Sequence, residues 1–351
     1  MKLGAYFLPV EFDVYLESVR CADRNGFSHA WVCDSQMIWQ DPYVYMARGL
    51  AETERITFGT AVTNPVTRHF TVTACGHATL ATMHPGRVVL GLGRGDSSIR
   101  TIGLRPTKVA QMRALLPEVK RLLAGESIDY EGTRIRIPWA RTELPLMLAG
   151  TGPSMMRLAG AFADIITLEI GIHPDAINWA LSNLRAGAEE AGRDPAQIEV
   201  VALCGLWISD DVSEAREHCR WAPASAANHI AEVMHNNPAH GMPSVLTELV
   251  ERRRQLVAAG SGLPSVDGTY DYYSGHCVND ADHAQWIPEE LIDNFALAGP
   301  ADEVAGKIGQ LEALGVSQVA AAFLNGEFGQ MELIGRALLP ILETFRDTYR
   351  P

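Results

Sequence analysis

The order of the predicted elements indicates an α/β protein with a (β/α)8 TIM barrel. Short runs rich in β-branched and other apolar residues alternate with longer amphipathic runs, and eight of the short runs can be counted. The short runs are continuously apolar, as expected of parallel strands that are covered on both faces. Eight βα units within 351 residues fit a closed barrel better than an open doubly wound sheet.

Each predicted element follows from its local pattern. The predicted strands are Leu3–Leu8, Ala30–Cys33, Ile56–Val62, Arg87–Leu90, Leu144–Leu148, Asp164–Leu168, Glu199–Trp207 and Val316–Phe323. The predicted helices are Asp13–Asn25, Thr71–Met83, Lys108–Leu123, Pro153–Ala161, Asp175–Ala191, Ala301–Leu314 and Glu332–Thr348. The first helix shows the signal clearly, because Val14, Leu16, Val19 and Ala22 form its apolar side. Gly26 then ends it.

The third strand runs directly into a polar segment that a proline stops. Ile56–Val62 is followed by Thr63, Asn64 and Pro65 rather than by a tight hairpin signal. Parallel sheets hold their ligands at the carboxyl edge, where these hydroxyl, amide and backbone groups would lie. We therefore expect the binding site at this edge.

Residues 210–288, between the seventh and eighth strands, interrupt the alternation. The segment is rich in His, Asn, Pro and Gly, and it contains one clear helix at Val245–Ala258. We predict a single barrel domain, residues 1–351, in which this insertion covers the active-site mouth. Alternatively, the insertion forms a contact between subunits, and it can have both roles.

Composition limits the partners. The chain is 47% hydrophobic and has a formal net charge of −13, which argues against a nucleic acid or an anionic membrane as partner. The first ten residues are too short for a signal peptide and no apolar run could span a bilayer, so we expect a cytoplasmic protein that acts on a small molecule. Six scattered cysteines without a CxxC pair indicate buried thiols.

Neither a metal site nor a serine nucleophile is predicted. The histidine pairs His276 with His283 and His235 with His240 lack the spacing and acidic partners of a metal site, so we expect no bound metal. The Gly-x-Ser-x-Gly motif of a nucleophile elbow is absent.

Two glycine-rich segments follow the fourth and fifth strands. Gly91–Ser97 permits close backbone approach to a ligand and carries Arg94, but it does not fit the Rossmann fingerprint, and a plain turn is the alternative. Gly150–Ser154 opens a helix, where free N–H groups favour a phosphate. Ordinary capping, with Pro153 at the first helical position, would also explain that segment.

Asp34 and Ser35 directly follow the second strand, with aromatic residues after them. A carboxylate at this edge could orient a substrate or cofactor. Trp39 and Tyr43 could line a pocket for a planar ligand. A helix cap with hydrophobic packing behind it is the simpler explanation of the same residues.

As an ordered set, these motifs resemble the bacterial luciferase-like monooxygenase superfamily. The chain is most similar to its branch around coenzyme F420-dependent methylenetetrahydromethanopterin reductase, over nearly all residues outside the insertion. The resemblance implies a barrel with an inserted segment, usually oligomeric, that binds reduced FMN or the deazaflavin F420 at its mouth. The motifs are Ala61–Pro65 with Arg68, Ala78–Leu80, Gly86–Arg87, Gly91–Asp96, Leu122–Gly125, Leu144–Pro153, Ala186–Pro195, Pro288–Leu291, Gly299–Pro300 and Leu314–Val316.

The resemblance also implies a cis peptide between Ala61 and Val62 and a cofactor role for three rim segments. In this view Thr63 and Asn64 face the ring, Gly93–Asp96 contacts the ring edge or ribityl chain, and Gly150–Gly152 binds the phosphate. The cofactor-binding residues implied are Ala61, Val62, Thr63, Asn64, Gly93, Arg94, Gly95, Asp96, Gly150, Thr151 and Gly152.

The chain departs from its F420-dependent relatives after the second strand. Those relatives commonly carry Asp-His there, whereas this chain has Asp34 and Ser35, which are its catalytic candidates. Histidine can shuttle a proton near neutral pH and serine cannot. The departure therefore favours FMN over F420.

The leading hypothesis from the sequence is a luciferase-like flavin-dependent monooxygenase. It would use reduced FMN from a separate flavin reductase, together with O2, to oxidise a small and planar heteroaromatic substrate. The predicted substrate-binding residues are Trp39, Tyr43, Trp221, Tyr270 and His276. An F420-dependent oxidoreductase, which a basic pocket beyond the phosphate seat would favour, and a non-catalytic flavin-binding protein are the alternatives. A homo-oligomer is expected in each case.

Overall fold

The computed structural model describes residues 1–237, 239, 241–261, 272–273, 284–323 and 326–348, with side chains up to residue 342. The strands in these ranges are β1 (Lys2–Phe7), β2 (His29–Val32), β3 (Thr57–Thr60), β4 (Val88–Leu92), β5 (Ile128–Tyr130), β6 (Thr133–Ile135), β7 (Leu146–Ala149), β8 (Ile165–Leu168), β9 (Glu199–Ile208), β10 (Ala296–Gly299) and β11 (Gln318–Ala322). The helices are α1 (Phe12–Arg24), α2 (Pro42–Glu52), α3 (Phe70–Met83), α4 (Ser97–Arg100), α5 (Val109–Leu123), α6 (Pro153–Phe162), α7 (Pro174–Glu190), α8 (Val212–His218), α9 (Trp221–Asn236), α10 (Ser244–Ala258), α11 (Glu289–Ile292), α12 (Ala301–Leu314) and α13 (Phe328–Thr348).

Eight parallel strands close into a barrel. Pairing runs from β1 through β2, β3, β4, β7, β8 and β9 to β11, which pairs back with β1. The predicted fold class is confirmed, and each predicted strand overlaps one barrel strand. Three short strands were not predicted: β5 and β6 form a hairpin, and β10 pairs with the end of β9, at Gly205–Ile208.

The strand side chains alternate between two apolar layers. One layer packs under the helices in the large core, and the other fills the barrel interior with Tyr6, Trp31, Val89, Met147, Ile165, Val201 and Ala320. Trp31 is fully buried near the amino ends of the strands, where its Nε1 donates a hydrogen bond of 2.8 Å to Gln318. Its ring also stacks on His29. These contacts close that end of the barrel with side chains.

The described part of the insertion is helical. α10 agrees with the helix predicted at Val245–Ala258, and α9 lies at the carboxyl ends of the barrel strands. α2 was not among the predicted helices, but the helix cap offered as the simpler explanation of this segment is present, because Asp41 accepts from the backbone N–H groups of Tyr43 and Val44. Among the described residues, none of the helices is long and apolar enough to cross a membrane.

The cysteines only partly match the expectation of buried thiols. Cys21, Cys204 and Cys219 are buried and Cys33 is half-buried, but Cys75 is exposed on α3. None of these five forms a disulfide, and Cys277 lies outside the described residues.

Candidate active site

A cavity of about 520 Å3 lies at the carboxyl ends of the barrel strands. Its wall includes Ala61 and Val62 after β3, Gly93–Ser98 after β4, and Gly150–Met155 after β7. The three predicted rim segments therefore meet around one space. α9 of the insertion contributes further wall residues, which are Trp221, Ser225, His229, Glu232, Val233 and Asn236.

Glycines keep part of this wall flat. A Cβ atom on Gly93 would lie 2.5 Å from Cγ2 of Val62, and one on Gly91 would lie 1.7 Å from the carbonyl oxygen of Thr60. The ends of β3 and β4 thus lie too close for any side chain between them. The peptide between Ala61 and Val62 is cis, as the resemblance implied. The bare backbone at these glycines suits a planar ring.

The start of α6 forms an anion seat in the same cavity. Gly152 is the N-cap and Pro153 the first helical residue, with no side chain capping the helix. The backbone N–H groups of Thr151, Gly152 and Ser154 have no hydrogen-bond partner within the described ranges. Free N–H groups at the positive end of a helix favour a phosphate. Val233 of α9 lies beside this turn, 3.0 Å from the Cβ position of Gly152.

Asp34 and Ser35 both line the cavity, but their polar atoms are already engaged. The Asp34 carboxylate is buried and pairs with Arg68, whose Nε and Nη2 lie 2.8 and 3.3 Å from its two oxygens. Arg68 Nη2 also lies 2.8 Å from Asp41. Ser35 Oγ hydrogen-bonds to Ser97 Oγ. The two catalytic candidates thus stabilise the rim of the cavity.

Three other predicted residues lie behind the wall. Asn64 is fully buried, and its amide donates to Thr67 and Ser98 while its oxygen accepts from the backbone of the following turn. Thr63 is also fully buried, and Tyr43 lies under the Arg68 guanidinium at 4.8 Å. None of Thr63, Asn64 and Tyr43 lines the cavity as far as the described residues show, so they support the wall.

The predicted aromatic wall is partly assembled. Trp39, after β2, and Trp221, at the start of α9, both line the cavity although they are far apart in sequence. Tyr270 and His276 lie outside the described residues.

The sequence reasoning missed an ionic cluster where α9 meets the rim. His229 Nε2 lies 3.1 Å from Asp96 Oδ2, and its Nδ1 lies 2.9 Å from Glu169 Oε2. The other oxygen of Asp96 accepts from Arg100 at 2.7 Å and from the Tyr272 hydroxyl at 2.8 Å. Asp96, predicted to contact the cofactor, therefore joins the rim to the insertion. Glu169 could have been found from the sequence, because it directly follows the sixth predicted strand, as Asp34 follows the second. No local sequence pattern marked His229.

Two further ion pairs extend this cluster. Arg100 Nη2 lies 2.8 Å from Glu232 Oε2, and Arg94 lies 3.8 Å from the other oxygen of Glu232. Arg94, predicted to bind the cofactor, thus lines the cavity while facing α9. Among the described residues, no group of His, Cys, Asp and Glu side chains has the arrangement of a metal site.

The cluster fixes the charge of His229. Burial alone would lower the pKa of His229, but the charge of Glu169 and the hydrogen bond to Asp96 raise that pKa well above its ordinary value. Burial alone would raise the pKa of Asp96, whereas His229 and Arg100 hold it well below its usual range. These contacts favour the protonated form of His229 in the cavity wall.

Two other titratable groups of the wall stay neutral. Burial raises the pKa of Cys33 to about 12. Burial also raises the pKa of Tyr6 far above its usual value, and the Tyr6 hydroxyl lies 2.8 Å from Thr167 Oγ1.

Known proteins resemble the chain over most of its length. Residues 7–318 match the family described as luciferase-like monooxygenase. The 5,10-methylenetetrahydromethanopterin reductase of Methanolobus tindarius is 25% identical, over 97% of this chain and 100% of the relative. The F420-dependent hydroxymycolic acid dehydrogenase of Mycobacterium tuberculosis is 29% identical, over 60% of this chain and 63% of the relative. In fold, the F420-dependent tetrahydromethanopterin reductase of Methanopyrus kandleri superposes with a TM-score of 0.74 at 24% identity, covering 97% and 98% of the two chains.

Proposed function

The chain belongs to the luciferase-like monooxygenase family, and we propose that it is an F420-dependent oxidoreductase that transfers a hydride to or from a small organic substrate. The observation that carries the proposal is the single cavity in which a flat glycine surface, an anion seat and two cations meet. The named relatives include an F420-dependent dehydrogenase, which supports the deazaflavin. Ranking F420 above FMN reverses the order drawn from the sequence, where Ser35 in place of a histidine favoured FMN.

The cavity wall fits a deazaflavin with a phosphate and an acidic tail. Gly93 packs against Val62 and leaves bare backbone on which a ring could lie, and the unpaired N–H groups of Thr151, Gly152 and Ser154 would hold the phosphate. Arg94 and Lys108 line the same cavity and would attract further anionic groups. These two cations lie in a wall that also carries the carboxylates of Asp34, Asp96, Glu169 and Glu232.

When bound, the deazaflavin supplies two-electron hydride chemistry. The chain's own residues would place the substrate and keep water away from it. Trp39 and Trp221 offer apolar rings to a substrate, while α9 lies over the strand ends. The imidazolium of His229 holds a proton at the cavity wall.

FMN-dependent monooxygenation is the second candidate, because the residues after β2 do not include a histidine. In this case reduced FMN from a separate reductase and O2 would be the co-reactants. The seat and the flat wall would serve FMN equally well, so only the choice of cofactor and the use of O2 separate the two proposals.

Cofactor titration tests the proposal. Purified protein is titrated with F420 and with FMN, in oxidised and reduced forms, and binding is followed by fluorescence. We expect F420 to bind at least about tenfold more tightly than FMN. Gly93→Ala should weaken F420 binding about tenfold or more, since its methyl group meets Val62, while Gly306→Ala on α12 should leave binding unchanged. Preferential FMN binding with O2 uptake would instead establish the monooxygenase.

A further inference from the structure

We propose that the hydroxyl groups of Tyr6 and Thr167 form a hydrogen-bond donor on the floor of the cavity, and that this donor binds a carbonyl oxygen of a molecule held there. The carbonyl belongs either to the ring of the cofactor or to the substrate. This inference rests on the proposed function and deepens it, because it names the chemical group that the floor recognises. The floor consists of the wall residues that lie within barrel strands, which are Tyr6, Ala149, Thr167, Leu203 and Ala322.

The barrel strands bring these two hydroxyl groups together beneath the cavity. Tyr6 lies in β1 and Thr167 in β8, each one residue before the end of its strand. Side chains alternate along a strand, so Thr167 points to the same side as Ile165, which packs with Tyr6 in the barrel interior. Both Tyr6 and Thr167 line the cavity, although they are only 5% and 6% exposed. The Tyr6 hydroxyl lies 2.8 Å from Thr167 Oγ1, so the two form one hydrogen-bonded pair.

One hydrogen of this pair has no partner in the part of the chain that the structure describes. Each hydroxyl carries one hydrogen, and the bond between Tyr6 and Thr167 uses one of the two, whichever residue donates. Neither oxygen has another hydrogen bond among the described residues. A buried donor without an acceptor costs free energy. Because both side chains line the cavity, the acceptor for the remaining hydrogen has to come from a molecule bound there.

The pair is a polar point in an apolar floor. The other floor residues are alanine and leucine, which offer no side-chain hydrogen bond. Cys33 lies beside the floor, and burial raises the pKa of its thiol to about 12, so it stays a neutral and weak donor. Burial also raises the pKa of Tyr6 far above its usual value. The phenol therefore keeps its hydrogen throughout the neutral range, and the donor does not depend on pH there.

An uncharged oxygen fits this donor better than a charged group. Besides burial, the charge of Glu169 raises the pKa of Tyr6, so an anionic group on the floor would be repelled by the same carboxylate. A cationic group would lose its water against alanine and leucine side chains. A carbonyl oxygen accepts the hydrogen without bringing a charge. On the ring this bond would fix the orientation of the cofactor, and on the substrate it would strengthen as negative charge builds on the oxygen during hydride transfer.

Variants of the two hydroxyls separate a role in binding from a role in stability. Tyr6→Phe combined with Thr167→Val removes both hydroxyls and nearly keeps the side-chain shapes, so the urea midpoint should equal or exceed that of wild type. Each single variant leaves one hydroxyl with a free hydrogen, and it should have a smaller effect on the ligand than the double variant.

Two control variants accompany them. Thr167→Ser keeps a hydroxyl at its position and should behave like wild type. Tyr45→Phe removes a buried hydroxyl that bonds to Val10 and Gln40 outside the cavity wall, and it should leave binding and turnover unchanged.

Binding and turnover identify the source of the carbonyl. F420 is titrated into each variant and followed by fluorescence, and carbonyl compounds are screened as substrates by the change in F420 absorbance. If the carbonyl is on the ring, the double variant should bind F420 about tenfold or more weakly. If it is on the substrate, the double variant should bind F420 within about twofold of wild type, while kcat falls about 10²-fold.

The remaining outcomes overturn either the inference or the proposed function. Unchanged F420 binding in the double variant, together with an unchanged kcat or with no carbonyl compound turned over by wild type, overturns the inference and leaves the proposed function standing. If wild type binds FMN and not F420, the proposed function fails, and the inference is decided with FMN, whose ring carries the same carbonyl groups. If wild type binds neither cofactor, both fail.

Discussion

Single residues determine how the cavity wall is held, and the Asp34–Arg68 pair is the clearest case. The Asp34 side chain is 1% exposed and that of Arg68 is 19% exposed, so the pair is largely shielded from water. Removing one partner of such a pair leaves a buried charge uncompensated, whereas removing both does not. The pair therefore fixes the turn after β2, where the second strand meets the segment after β3.

We expect Arg68→Met to lower the free energy of unfolding by about 3–5 kcal/mol. Asp34→Asn combined with Arg68→Met should lose less than Arg68→Met alone, since no buried charge remains. Arg24→Met breaks the exposed pair with Glu17, and it should cost less than about 1 kcal/mol. Urea unfolding at pH 7 measures all three variants. An equal cost for Arg68→Met and the double variant would contradict the role given to the buried charge.

Contacts between elements depend on where glycines lie in helices. α6 and α7 cross so closely that a Cβ atom on Gly160 would lie 2.1 Å from the carbonyl oxygen of Leu184. One on Gly187 would lie 2.0 Å from the carbonyl oxygen of Arg157. Because α6 also carries the anion seat, this crossing positions the seat over the barrel. Gly306 of α12 has no neighbouring atom within 4 Å of its Cβ position.

Alanine substitutions at these glycines should have opposite effects. Gly160→Ala should lower the free energy of unfolding by about 1–3 kcal/mol, since the helices must separate to admit the methyl group. Gly306→Ala should raise it by about 0.5–1 kcal/mol, because alanine loses less backbone entropy in a helix. Urea unfolding of both variants is the measurement. A Gly160→Ala protein as stable as Gly306→Ala would show that the two helices can separate at little cost.

The candidate site also depends on contacts between elements, because helix α9 completes its wall. Trp221, His229 and Val233 reach the cavity from a segment outside the barrel repeat. His229 and Glu232 join that helix by ion pairs to the rim after β4 and to the end of β8. The cavity is therefore assembled from barrel strands and insertion together.

For the whole molecule, the buried histidines make stability depend on pH. Burial lowers the pKa of both His29 and His77 to about 4, from an unfolded value near 6.5. Between pH 6.5 and 4 the unfolded chain binds these protons and the folded chain does not, so stability falls as the pH falls. His229 acts in the opposite sense, since its raised pKa stabilises the fold below that value and the contribution is lost only on the alkaline side.

Urea unfolding between pH 7.5 and 4.5 should therefore show a free energy of unfolding that, below pH 6.5, falls by roughly 1 kcal/mol per unit of decreasing pH for each of the two histidines. His77→Gln should reduce this slope even if it lowers stability at pH 7. A slope that does not differ between wild type and His77→Gln would show that folding does not lower the pKa of His77.

The sequence by itself determined the barrel and the location of its ligand edge. Apolar runs such as Ile56–Val62 and Glu199–Trp207 carry their signal locally, because strand and helix periodicity depends on neighbouring residues. The rim segments after the third, fourth and fifth strands could be grouped without coordinates, since the carboxyl ends of parallel strands meet at one edge. The short strand Ala296–Gly299, with no β-branched residue, gave no such signal.

Only the tertiary structure decided which side chains face the cavity. Asn64 was predicted to contact the ligand, but its amide bonds to the following turn and to Ser98, and Asp96 faces the insertion. His229 and Asp96 are 133 residues apart in sequence, and their contact depends on how the insertion folds back over the strand ends. The physical reason is that an ion pair depends on distance in space, and no periodicity along the chain encodes it.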